Sequence, residues 1–256
     1  MSQKPAQFVW HDLMTTDTQA AQAFYAKVIG WNMQAFGPGN DYMVLSAGTV
    51  GMGGIATIPE DALQRGAPPS WQGYVAVDDV DACAARILSS GGAVLRPADD
   101  IPQVGRFAVV ADPQGAVFYI FKPDGPESTP TAAPGTPGLV GWNELHAVDG
   151  LSAFDWYAQM FGWTVSEDMD MGPMGVYRMF AAGAEPVGGM MTKMPEMPVP
   201  FWAYYFNVES IDAAIQRTLD AGGKLMHGPQ EVPGPMFIAN CQDPQGAWFS
   251  MVAPQR

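Results

Sequence analysis

Asp112-Pro113-Gln114-Gly115 recurs 131 residues later as Asp243-Pro244-Gln245-Gly246. An Asp-Pro-x-Gly run is a type I or type II turn signature, and the first one feeds the apolar strand Ala116 to Phe121. Upstream, at the same offset, Pro102 matches Pro233, Gly91-Gly92 matches Gly222-Gly223, Val77 matches Val208 and Trp71 matches Trp202. Further upstream the offset becomes 135 for Gly53-Gly54 and Gly188-Gly189. It is 132 for Gly30-Trp31 and Gly162-Trp163, for Phe24-Tyr25 and Trp156-Tyr157, and for Asp17 and Asp149. Chance does not place so many matches in one order. The chain is a tandem duplication.

The boundary between the copies is compositional. Residues 123–137 carry five prolines, from Pro123 to Pro137. Proline fixes φ and removes a backbone donor, so this stretch is expected to be a semi-rigid, exposed linker. The expected modules are therefore 1–122 and 138–256.

Each copy is itself two similar halves. The first half of copy one reads as a strand from Phe8 to Met14, a helix from Thr18 to Ile29 and three strands to about Thr57. Asp17 or Thr16 suits the helix N-cap, and Gly30 its end. The second half reads as a strand from Gly73 to Val77, a helix from Val80 to Leu88 capped by Asp79 and ended by Gly91-Gly92, and three more strands. The expected fold class is α+β, built from four βαβββ units.

Composition bounds the function. The 256 residues are 48% hydrophobic and 15% charged, which is a globular balance. The formal net charge is −14. Such a surface repels phosphate backbones and anionic lipid, so neither nucleic acid nor a membrane surface is an expected partner. No signal segment or run of 18 apolar residues is visible, and a cytoplasmic location is expected. Cys83 and Cys241 are isolated and outside any C-x-x-C, so both are expected to be buried, reduced thiols.

Strand–Asp–helix with Phe-Tyr and Gly-Trp, then Val-x-Asp-Val-Asp, Gly-Gly and Asp-Pro-Gln-Gly before a final strand, resembles the vicinal oxygen chelate superfamily. That group holds glyoxalase I, the bleomycin- and fosfomycin-resistance proteins and the extradiol dioxygenases. Both copies carry the signposts, so the resemblance covers the chain outside the linker. Trp10-His11-Asp12-Leu13-Met14-Thr15-Thr16-Asp17 and Gly105-Arg106-Phe107-Ala108-Val109-Val110 resemble a two-module bacterial glyoxalase-like subgroup. The resemblance implies open, cup-shaped mixed sheets, each holding a small-molecule ligand. It also implies a divalent metal at the base of the cup, acting as a Lewis acid on a chelated substrate.

The family's ligand positions can be tested residue by residue. By the resemblance they fall on Trp10, Gln72 and Tyr119 in copy one and on Trp142, Ala203 and Ser250 in copy two. Indole and alanine are not metal ligands. Neither triplet supplies the three neutral-nitrogen or anionic-oxygen donors such an ion wants. The expectation is that the family metal is lost and no cofactor is bound.

The alternative is a displaced divalent metal. Side chains alternate along a strand, so Trp10, Asp12 and Met14 share one face, as do Trp142, Glu144 and His146. Glu144 and His146 are the candidate pair for a displaced ion, or else a hydrogen-bonded polar pair. His11 alternates to the helix side and is expected to be a core or rim residue. His227, after Gly222-Gly223, is expected to be exposed.

Other chemistries lack their marks. No G-x-S-x-G elbow is present, and neither cysteine sits where a thiolate would be activated. Gly51-x-Gly53-Gly54 lacks a nucleotide fingerprint's strand-to-helix setting, and tight strand turning is its expected role. The presumptive cups are aromatic: Trp10, Tyr42, Trp71, Tyr74 and Tyr119 in copy one, and Trp142, Tyr177, Trp202, Tyr204, Tyr205 and Trp248 in copy two. Met169, Met171, Met174, Met179, Met190, Met191, Met194 and Met197 add an adaptable wall or lid. A flat, apolar or aromatic ligand suits such a surface. Asp12 and Glu144 are the candidate catalytic groups or polar handles, and Arg106 a candidate carboxylate clamp or a surface residue.

Three functional expectations follow. The first is a metal-free small-molecule binder or acid/base catalyst. The second is a metal-dependent lyase or isomerase of glyoxalase type with unusual ligands, acting on a 2-oxoaldehyde–thiol adduct. The third is a subunit acting through a partner. The repeat also implies a pseudo-twofold monomer or a homodimer.

Overall fold

A computed structural model of the chain describes residues 5–37, 41–125 and 132–256. The first copy folds as β1 (Phe8–Thr15), α1 (Thr18–Val28), β2 (Asn32–Ala35), β3 (Met43–Ala47), β4 (Val50–Thr57), a short α2 (Glu60–Gln64), β5 (Ser70–Ala76), α3 (Val80–Ser89), β6 (Ala93–Ile101), β7 (Gly105–Ala111) and β8 (Val117–Pro123). The second follows as β9 (Val140–Ala147), α4 (Gly150–Phe161), β10 (Thr164–Asp170), β11 (Val176–Ala181), β12 (Pro186–Thr192), β13 (Phe201–Asn207), α5 (Ile211–Asp220), β14 (Lys224–Val232), β15 (Met236–Gln242) and β16 (Trp248–Ala253). A 3-10 turn at Gly172–Met174 separates β10 from β11.

The four βαβββ units are all present. Each copy makes one open mixed sheet of eight strands, ordered β2-β3-β4-β1-β5-β8-β7-β6 and β10-β11-β12-β9-β13-β16-β15-β14. The parallel pairs are β1 with β4, β5 with β8, β9 with β12 and β13 with β16. The hairpin-linked neighbours run antiparallel. No helix among the described residues is long and apolar enough to cross a membrane.

Capping explains why the four main helices start where they do. The side chains of Asp17, Asp79, Asp149 and Ser210 accept from the amides of Ala20, Ala82, Leu151 with Ser152, and Ala213. Each cap satisfies amides that a helix leaves open, worth about 1 kcal/mol. The C-cap of α4 is Gly162 at φ 73°, a left-handed conformation that glycine adopts without strain.

The linker begins later than its first proline. β8 runs through Pro123, which pairs with Gly105 of β7. As the last residue of the strand, Pro123 ends the ladder rather than breaking it. The linker residues 126–131 lie outside the described residues.

Compactness does not follow the copies. One unit comprises the described residues of Met1–Trp10, Gln72–Thr129 and Trp142–Trp202. The other comprises those of His11–Trp71, Pro130–Gly141 and Ala203–Arg256. Each unit therefore joins half of one copy to the opposite half of the other.

The repeated signposts are what hold each unit together. In the first unit Asp112 Oδ1 accepts from the amides of Gln114 and Ala116 at 2.8 and 2.9 Å, which shapes the turn. Its Oδ2 accepts from the Tyr157 hydroxyl of α4 at 3.1 Å, and Trp202 Nε1 donates to that hydroxyl at 3.1 Å. In the second unit Asp243 accepts from Gln245, Ala247 and the Tyr25 hydroxyl of α1, and Trp71 Nε1 donates to Tyr25 at 3.0 Å. All six side chains of these two networks are buried. Burial raises the carboxyls of Asp112 and Asp243 above the ordinary range, while their amide and tyrosine hydrogen bonds pull the other way.

These networks, and the burial of Tyr204, revise three expectations. Trp71, Trp202 and Tyr204 are core residues on the helix side of the sheet rather than cup linings. Strand alternation puts each on the face opposite Tyr74 or Phe201. Cys83 and Cys241 are free and buried, and burial pushes the Cys241 thiol up to about 12.

Candidate functional site

The site is built on the sheet faces opposite the main helices. In the first unit, β9 presents Trp142, Glu144 and His146 on that face, while Leu145 is fully buried on the other. Register extends the face sideways, because paired residues share it. Glu144 pairs with Gly189 and His146 with Met191. Met179 pairs with both Gly189 and Glu167, and Tyr177 pairs with Met169. Met169, Met179 and Met191 therefore line one surface with Glu144, His146 and Tyr177. Met190, one residue out of phase, is fully buried in the core.

A single hydrogen-bonded chain runs across this surface. Trp142 Nε1 donates to the Tyr177 hydroxyl at 2.7 Å, and that hydroxyl donates to Glu144 Oε2 at 2.8 Å. His146 Nε2 lies 2.9 Å from Glu144 Oε1. The imidazole stacks on Phe201, with ring centroids 4.8 Å apart and 19° between planes. Burial and the adjacent Glu144 charge hold the Tyr177 hydroxyl well above its ordinary value, so it stays protonated as a donor. Glu144 and His146 are each 8% exposed, and His146 Nδ1 has no hydrogen-bond partner.

The glycine pair makes this geometry reachable. A Cβ on Gly189 would fall on Cζ and Oη of Tyr177, and one on Gly188 would strike the Asn143 carbonyl. Gly54 and Gly53 stand in the same relation to Tyr42 and the His11 carbonyl. The Gly-Gly pairs lie inside β4 and β12, so their role is close approach across a strand rather than the turning expected of Gly53-Gly54.

Copy one repeats half of the arrangement. In the second unit the Tyr42 hydroxyl donates to Asp12 at 2.6 Å, over Gly54. Asp12 is 4% exposed. Met14 pairs with Ala56 where copy two pairs His146 with Met191, so the chain has no histidine to continue into.

The remaining candidates fall in several places. Trp10 packs on a buried cluster of Tyr74, Phe107 and Tyr119, with Tyr74 and Tyr119 edge to face at 4.6 Å. Gln72 is half-buried on β5, on the Tyr74 face. Ser250 is buried on β16, in register with Tyr205. Arg106 pairs with Asp81 and Asp100 on the surface, with 2.8 Å contacts to each. Its charge is therefore already matched by two carboxylates. His11 is buried against Tyr204, and exposed His227 bonds Gln230.

The sequence marks Tyr42 and Tyr177 only as aromatic lining and does not mark Phe201 at all. The signal for the tyrosines was the Gly-Gly pair beside each carboxylate in register. A hollow of about 290 Å³ between the end of α1 and the start of α5 is lined by Lys27, Glu209 and Arg217 among others, and by none of the candidate residues.

Among the described residues, no three His, Cys, Asp or Glu side chains group as a metal site would require. The Glu144–His146 pair supplies two donors, and they are bonded to each other.

Known proteins bear on this arrangement. Residues 8–121 match a family described as a glyoxalase-like domain, and residues 147–251 match the glyoxalase/bleomycin resistance protein/dioxygenase superfamily. The chain is 35% identical over 250 residues to "Putative glyoxylase CFP32" of Mycobacterium bovis, covering 96% of this chain and 94% of that protein. It is 33% identical to the anthracycline biosynthesis protein DnrV of Streptomyces peucetius, covering 97% and 93%. Among solved structures, the Mn(II)-bound glyoxalase from Novosphingobium aromaticivorans superposes with TM-score 0.64 at 17% identity, covering 98% of this chain and 82% of that one. Homoprotocatechuate 2,3-dioxygenase from Brevibacterium fuscum in its substrate complex superposes with TM-score 0.68 at 16% identity, covering 98% and 82%. With the duplicated βαβββ units and two eight-stranded open sheets, these matches establish that the chain is a two-module member of the glyoxalase/bleomycin resistance protein/dioxygenase superfamily.

Proposed function

We propose that the protein binds a small, flat aromatic molecule on the Glu144 face of its first compact unit, without the family's divalent metal. The observation that carries this reading is the chain from Trp142 through Tyr177 and Glu144 to His146, set among Met169, Met179, Met191 and Phe201. Aromatic and thioether side chains give an adaptable apolar bed, and a few convergent polar groups fix orientation.

The donor set does not fit the family's metal. The corresponding positions hold Trp10, Gln72 and Tyr119, and Trp142, Ala203 and Ser250. Indole cannot coordinate, and the Glu144 oxygens are engaged by Tyr177 and His146. The anthracycline named in one relative's description is a polycyclic aromatic, which agrees with the bed described here.

The test is titration with 2-hydroxyanthraquinone, followed by quenching of tryptophan fluorescence. The expected result is saturable binding that Trp142→Ala and Phe201→Ala each weaken by at least tenfold in folded protein. Stoichiometric nickel, zinc or iron in the purified protein that disappears in Glu144→Ala would instead assign this face to a metal-dependent lyase or isomerase.

A further inference from the structure

With Glu144 ionised and the His146 ring neutral, every hydrogen bond in the Trp142–Tyr177–Glu144–His146 chain has one direction. Indole nitrogen only donates, so the Tyr177 oxygen accepts from Trp142 and its own hydrogen goes to Glu144 Oε2. A carboxylate only accepts, so the contact at Oε1 places the imidazole hydrogen on His146 Nε2. In the neutral ring Nδ1 is then a bare acceptor. This nitrogen is buried without a hydrogen-bond partner, on a ring that is pinned by Glu144 at its edge and by Phe201 on its face. A buried acceptor left unmatched is unfavourable, so the fold retains it at a penalty that a donor would relieve.

We infer that His146 Nδ1 selects aromatic ligands that present a hydrogen-bond donor, such as a phenolic or enolic hydroxyl, and that Glu144 sets this selection by fixing the histidine tautomer. The inference rests on the proposed aromatic binding at this face. It confines the selection to the second copy, because copy one has Met14 at the matching position. His146 is the contact residue and Glu144 the positioning residue.

The test compares 2-hydroxyanthraquinone with its 2-methoxy ether, which share the ring system but differ in the donor. Native protein is expected to prefer the hydroxyl compound by roughly tenfold to a hundredfold. His146→Met, which installs the residue of copy one, is expected to abolish the preference while still binding the ether. Glu144→Gln is expected to remove it, because both the hydroxyl and the ether oxygen can accept from an Nδ1 hydrogen. A glutamine amide can donate to Nε2, which moves the ring hydrogen to Nδ1 and makes that nitrogen a donor. A merely structural role for Glu144 predicts weaker binding of both compounds with the preference intact. Equal native affinity for the two, or a preference that survives in folded His146→Met, overturns the inference alone. If neither compound binds native protein, the aromatic-binding reading falls and this inference falls with it.

Discussion

The Tyr157 hydroxyl donates to Asp112 Oδ2 at 3.1 Å, joining the first helix of the second copy to the last turn of the first. Tyr25 and Asp243 repeat this at 3.1 Å with the copies exchanged. The side chains that reveal the duplication in the sequence are thus the ones that interlock the two copies. Neither copy contains both partners of either bond.

Removing one hydroxyl should be costly. Tyr157→Phe leaves the Trp202 indole N–H and one Asp112 oxygen buried without their partner. The expected loss is about 1–3 kcal/mol by denaturant unfolding. Tyr25→Phe should cost a similar amount. The double variant should lose the sum, since the two networks share no residue.

Cutting the chain in the linker should not yield two independent domains. Residues 1–122 alone contain Tyr25 without Asp243 and Asp112 without Tyr157. That fragment is expected to be unfolded or self-associated in size-exclusion chromatography and circular dichroism. Mixing it with residues 132–256 is expected to restore a folded complex. A stable, monomeric 1–122 would contradict the shared units.

Burial raises the Asp112 carboxyl, which sets a sign for the pH dependence. The native state holds the proton to higher pH than the unfolded state. This group's stabilising contribution is complete below the ordinary carboxylate range and is lost as pH rises through the folded value. Asp112→Asn removes the titration. Wild type is therefore expected to lose stability relative to the variant across that window and run parallel to it above, as measured by unfolding at a series of pH values.

Gly189→Ala should act on the site as well as on the fold. Its new Cβ would fall on the Tyr177 ring and move the hydroxyl off Glu144. The expected destabilisation is about 1–3 kcal/mol, with at least tenfold weaker binding of 2-hydroxyanthraquinone. Gly54→Ala should displace Tyr42 from Asp12 in the same way, but leave binding at the Glu144 face unchanged.

The sequence carried the fold well because its signals are local or repeated. Helix caps at Asp17, Asp79 and Asp149 are short-range, and the Asp-Pro-Gln-Gly turns shape themselves through their own amides. Strand alternation also placed Glu144 and His146 on one face. What stayed hidden depends on distant chain segments. Trp71 and Trp202 look like cup linings until Tyr25 and Tyr157 claim their indoles. The exchange of halves between units leaves no local trace. Arg106 finds Asp81 25 residues away, a pairing that spacing alone does not predict. Phe201 becomes part of the site only because β13 brings it against His146.

Metal-free binding of an aromatic molecule at the Glu144 face is open to a direct test. The most direct measurement is the affinity for 2-hydroxyanthraquinone by fluorescence titration, before and after the protein is stripped with a strong chelator. The expected result is the same saturable affinity in both samples, and its loss in Phe201→Ala. Binding that vanishes on stripping and returns only when manganese, iron, nickel or zinc is added would contradict it.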